Sequence, residues 1–106
     1  MRNTLAVALI AVVISACSTM AALDRGVTSL EPLYAEDGYR YFTYQSLASP
    51  VYPLDSPDAE RIRMNWLEDW LEDNGLKNRP YEILDRTPIN QVGLSYKIYY
   101  RVRVKE

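Results

Sequence analysis

Histidine is absent from this 106-residue chain, and cysteine occurs once, at position 17. Without histidine there is no Ser-His-Asp triad and no Cys-His pair, and with one cysteine no His/Cys zinc site can be built. A lone cysteine also forbids a disulfide within the chain. Charge of one sign is lacking as well. Twelve Lys and Arg stand against 14 Asp and Glu, a net charge of −2, too small to single out a polyanionic partner. There is no repeat period and no low-complexity tract, and the length suffices for one small domain.

Only one long apolar run is present. Residues 5–14 read LAVALIAVVI, preceded by Arg2, the sole charge of the first sixteen residues. Ten apolar residues match the core of an export signal and fall short of the roughly 20 that span a bilayer. Ile14-Ser15-Ala16-Cys17 follows directly. These four residues resemble the lipobox of bacterial lipoproteins, with isoleucine in place of the commoner leucine. The resemblance covers residues 1–17. It implies cleavage between Ala16 and Cys17, transfer of a diacylglyceryl group to the Cys17 thiol and acylation of the new amino terminus. Ser18 in second place then implies sorting to the outer membrane of a Gram-negative cell, and the periplasmic side is expected over the surface. Several acyl chains make a stable anchor where one holds marginally. No other cysteine follows that could mispair in an oxidising compartment.

Residues 17–37 then read as a lipidated start and flexible tether, without sustained periodicity, and 38–106 as a small α+β domain. Residues 39–45 (YRYFTYQ) are aromatic and favour a strand. A proline-bearing loop leads to Ser56-Pro57-Asp58, a helix start with cap, first-position proline and first-turn acid. The helix is predicted over 57–73, ending at Asn74-Gly75. Residues 81–86 form a second strand, 87–93 a turn region, and 94–104 a long third strand of strict alternation. The expectation is β-α-β-β, one helix on a three-stranded, mostly antiparallel sheet, with the last strand in the middle.

On the helix, Ile62, Ala59, Trp66 and Trp70 share the stripe expected to meet the sheet, while Met64, Leu67 and Leu71 widen the apolar arc beyond what one sheet face needs. That second edge is covered by the preceding loop (Val51, Tyr52, Leu54) or offered to a partner or second subunit. For catalysis, Glu68 and Glu72 share a helix face and could in principle cleave glycosidic bonds, but a helix surface offers no cleft. No catalytic residue, metal site or cofactor is assigned. The solvated face of the last strand, Lys97, Tyr99, Arg101 and Arg103, interleaves cations with an aromatic and is the candidate recognition surface. In an exported chain its partner would be another envelope protein or an anionic glycan rather than nucleic acid. The reading is a lipid-anchored envelope protein acting as a non-enzymatic binding or assembly accessory. The alternatives are a small hydrolase or inhibitor acting on peptidoglycan or an envelope enzyme, and a structural homo-oligomer.

Overall fold

A computed structural model describes residues 25–106. The expected export signal, the expected lipidation at Cys17 and residues 18–24 lie outside the described residues. The chain forms β1 (Ser29–Glu36), β2 (Tyr39–Ala48), α1 (Pro57–Asp73), β3 (Tyr81–Val92) and β4 (Ser95–Lys105). The four strands make one sheet in the order β1-β2-β4-β3, and every neighbouring pair is antiparallel. The α+β class holds, with one strand more than expected, and β4 lies between β2 and β3 as its length and alternation suggested.

The added strand corrects the tether reading for residues 29–36. Asp37 and Gly38 both take positive φ, 53° and 80°, the backbone a two-residue hairpin turn needs to match strand twist. That turn lays β1 along β2, with Tyr34 opposite Tyr41 and Ser29 opposite Gln45. Just before it, Thr28 accepts a hydrogen bond from Trp70 Nε1 at 2.8 Å, and Arg25 lies over the Trp70 ring. β3 also continues through the stretch expected to be a turn region, to Val92. Pro88 is tolerated because β3 is an edge strand with no further partner to its outer side.

The helix has the expected bounds. Ser56 Oγ accepts from the Ala59 N–H at 3.2 Å, the bond an N-cap supplies. At the other end the Gly75 N–H donates to Glu72 and the Leu76 N–H to Leu71, at 3.0 and 2.8 Å. Gly75 has φ +77°. This is a Schellman stop, and Leu76 packs into the core with Leu71 as that motif favours.

One sheet face is covered by the helix. Phe42, Tyr44, Ser46 and Ala48 of β2 alternate inward, as do Ile98, Tyr100, Val102 and Val104 of β4, and all are buried. From the helix come Ala59, Arg63, Trp66, Leu67 and Leu71. The stripe is therefore rotated from the expected one. Leu67 and Leu71 are core, Ile62 is 37% exposed, and Met64 and Trp70 are half-buried against the cluster. The Met64/Leu67/Leu71 edge, read as covered by the preceding loop or else offered to a partner, is filled by the chain's own packing. The preceding loop contributes, with Tyr52 edge-on to Trp66 at 5.1 Å and Leu54 against the core. Val51 instead points to solvent.

Candidate functional site

The second sheet face carries no covering element among the described residues. Register sets its composition. Lys97, Tyr99, Arg101 and Arg103 lie in one row on β4, and across from them on β2 stand Leu47, Gln45, Thr43 and Tyr41. Alternation thus brings the four predicted residues together, and it adds Tyr39 and Tyr41, which oppose Lys105 and Arg103. Tyr34 of β1 stacks on Tyr41 with ring centroids 4.6 Å apart, and the Arg103 guanidinium lies 4.6 Å from the Tyr39 ring centre. Such contacts hold arginine and tyrosine in defined poses at modest cost in side-chain freedom.

The charge of this face is more balanced than the last strand alone suggests. Glu82 of β3 accepts from Arg103 at 2.6 Å, and Asp85 lies 3.8 Å from Arg101. Both acids come from the neighbouring strand in register. The Arg103 side chain has its pKa raised by hydrogen bonding with Tyr41 and then Glu82, so it stays cationic throughout. The surface is an array of aromatic rings and paired donors and acceptors, with exposed Lys97 and Lys105 as its unpaired cations among the described residues.

Sequence reasoning missed a second constellation, beneath the helix. Arg63 is fully buried, and all five of its N–H donors are used. Nε donates to Glu60 Oε1 at 2.8 Å. The two terminal nitrogens reach the carbonyls of Leu47, Tyr52, Pro53 and Leu54 at 3.1–3.3 Å. Glu60 also accepts from Tyr100 Oη and from Arg86. Tyr44, stacked on Tyr100, donates to the Arg63 carbonyl at 2.8 Å. The signal was on the helical wheel. At 100° per residue from Ile62, Arg63 falls at about 100° and Glu60 at about 160°, both inside the apolar arc. A charge there is buried or the helix is not where it is drawn.

The network titrates. Burial alone would raise the Glu60 carboxyl, but hydrogen bonds from Arg63 and Tyr100 and the charge of Arg86 outweigh it and hold the group below its ordinary value of 4.5. Burial pushes the Tyr44 and Tyr100 hydroxyls up. A carboxylate depressed on folding contributes stability above its unfolded pKa and loses it as pH falls through the folded one. The urea midpoint of the native chain is thus expected to drop below about pH 4.5, and its lead over Glu60→Gln to narrow over the same range. A constant gap between the two titrations would remove Glu60 from the acid response.

The helix carboxylates make little of a cleft. Glu68, Asp69 and Glu72 border a hollow of about 130 Å³ with Lys77, Arg79 and Tyr81, below the several hundred Å³ of ordinary ligand pockets. No group of three or more potential metal ligands occurs among the described residues, and no helix there is long and apolar enough to cross a membrane. Compared with protein-family models, with curated proteins and with solved structures, the chain matches none.

Proposed function

We propose that this chain is a lipid-anchored protein of the bacterial envelope, acting as a non-enzymatic binding module through the open face of its sheet. The lipobox-like Ile14-Ser15-Ala16-Cys17 supports the anchor and, with Ser18, an outer-membrane location. The observation that carries the binding role is the uncovered face on which Tyr34, Tyr39, Tyr41, Arg101 and Arg103, beside Tyr99, are held by stacking and ion pairing. Tyrosine and arginine so held lose little freedom when a partner docks, which is why they recur at the centres of interfaces. The paired acids favour another envelope protein, or a glycan of mixed donors and acceptors, over a purely anionic ligand. The hydrolase reading, which would use Glu68 and Glu72, has only the small hollow in its support.

Crosslinked capture from whole cells tests the role. The native chain is compared with a Lys97→Glu/Arg101→Glu/Arg103→Glu variant whose circular dichroism matches it. A partner captured by the first and lost by the second is the expected result. Identical captures would return this face to solvent.

A further inference from the structure

The open face is not uniform along β4. Around Arg103 the polar groups are already engaged: the guanidinium donates to Glu82 at 2.6 Å and lies over the Tyr39 ring, and Tyr34 stacks on Tyr41. Next to it the same face sinks into a hollow of about 410 Å³, bordered by Thr43 of β2, Tyr99 and Arg101 of β4, and Asp85 and Thr87 of β3. Register explains the gathering, since Thr43 and Asp85 both stand opposite Arg101, and Thr87 stands opposite Tyr99. Tyr100 borders the hollow as well but turns its side chain into the core. The volume lies within the several hundred Å³ of small-ligand sites.

Asp85 is there because β3 breaks step. Glu82 is on the open face, so strict alternation would send Asp85 to the helix side. The register shift between Ile83 and Asp85 inserts Leu84, left 38% exposed, and returns the carboxylate to the face of Arg101. A bulge of this kind disrupts the ladder and re-aims a side chain. The result is not a closed ion pair. Asp85 and Arg101 stand 3.8 Å apart, beyond hydrogen-bond length, and both side chains are more than half exposed. The hydroxyls of Thr43, Thr87 and Tyr99 make no hydrogen bond with another described residue.

We infer that this hollow is a sugar subsite, taking one ring of a neutral glycan with its C–H face on Tyr99 and adjacent hydroxyls between Asp85 and Arg101. The inference rests on the proposed binding role of the open face and names its ligand. A sugar hydroxyl both donates and accepts. A carboxylate that only accepts, beside a guanidinium that only donates, serves two adjacent hydroxyls at once, and the threonine hydroxyls take either part. The negative face of a tyrosine ring attracts weakly positive C–H groups. The lining argues against other occupants. Among the described residues no aliphatic side chain borders the hollow, whereas a protein partner anchors itself in a well-packed, desolvated pocket. Asp85 repels an anionic ligand as Arg101 attracts it. Asp85 is also the hollow's one carboxylate among the described residues. Cleavage of a glycosidic bond ordinarily takes two, so the site holds sugar without cutting it.

The test uses the full chain in dodecylphosphocholine micelles, which carry no sugar. Nitrogen–proton correlation spectra are followed while chitotetraose, cellotetraose and maltotetraose are added in turn, each to about 20 mM, well above a millimolar dissociation constant. Saturable shifts centred on Thr43, Asp85, Thr87, Tyr99 and Arg101 are expected with at least one of them. Asp85→Ala and Tyr99→Ala should each weaken that sugar about tenfold or more, while Glu68→Gln on the helix leaves it unchanged. Where Tyr99→Ala unsettles the sheet, Asp85→Ala and Thr87→Val on the edge strand still decide. No shift with any of the three sugars would overturn the inference. So would tetragalacturonate binding more tightly than the neutral sugars and surviving Asp85→Ala, which would make the hollow an anion site. Either failure leaves the binding role standing where whole-cell capture still depends on Lys97, Arg101 and Arg103, the ligand then being a protein or an anion.

Discussion

Replacing Arg63 with alanine is expected to lower the stability of the domain by about 3–5 kcal/mol, the consequence of leaving several buried carbonyls without their donor. A domain of this size holds about 4–12 kcal/mol in all, so the variant stands near the limit of folding. Two losses combine. The carbonyls of Leu47 in β2 and of Tyr52 and Pro53 in the following loop lose the guanidinium as donor, while Leu54 keeps Arg86, and each buried acceptor left unmet costs about 1–3 kcal/mol. Glu60 also loses its nearest cation. Arg63→Lys keeps the charge but not the planar fork, so it recovers only part of the deficit. Urea unfolding followed by near-ultraviolet circular dichroism measures all three proteins. A loss below about 1 kcal/mol for the alanine variant would mean that water replaces the guanidinium at those carbonyls.

Leu71→Asp is the second large effect, and it separates two uses of the helix. If Leu71 lay at a subunit interface, the aspartate would yield a folded monomer. Here Leu71 is 2% exposed and packed with Leu67 and Leu76 in the core. The substitution removes a buried leucine, worth about 2–5 kcal/mol, and places a carboxylate within the apolar cluster. Loss of the helical spectrum, with unfolded or aggregated material on gel filtration, is expected. The milder Leu71→Ala is expected to stay folded with a lowered urea midpoint. A soluble, folded monomer from Leu71→Asp would return this edge to an interface.

These two residues also mark where the sequence was legible and where it was not. Ser56-Pro57-Asp58 and Asn74-Gly75 delimited the helix because capping is local chemistry, settled by a few neighbouring side chains. The alternation of β4 disclosed the central strand and both of its faces for the same reason. β1 was hidden because Pro32 and the irregularity between Pro32 and Tyr34 break its period, although Asp37-Gly38 carried the hairpin signal. The Arg63 network was hidden because its acceptors are carbonyls of a loop, to which a sequence assigns no direction. Charge type alone would place Arg63 and Glu60 in water, whereas their wheel positions argue otherwise. Of the open face, β4 gave its row of cations, but the acids that pair them come from β3 through a register no single strand contains.

The sheet is two local hairpins, β1–β2 and β3–β4, joined only where β2 meets β4. Each hairpin closes over a short turn and can form within microseconds. The seam between them pairs Tyr39 with Lys105 and Ala48 with Tyr96, residues far apart along the chain, and it waits for the search that long-range contacts impose. Most of the buried side chains of the sheet stand on that seam. Folding is therefore expected to be one late docking of two early halves, with the helix fastened over the join, and the amides shared by β2 and β4 should be the last to exchange their hydrogens with solvent.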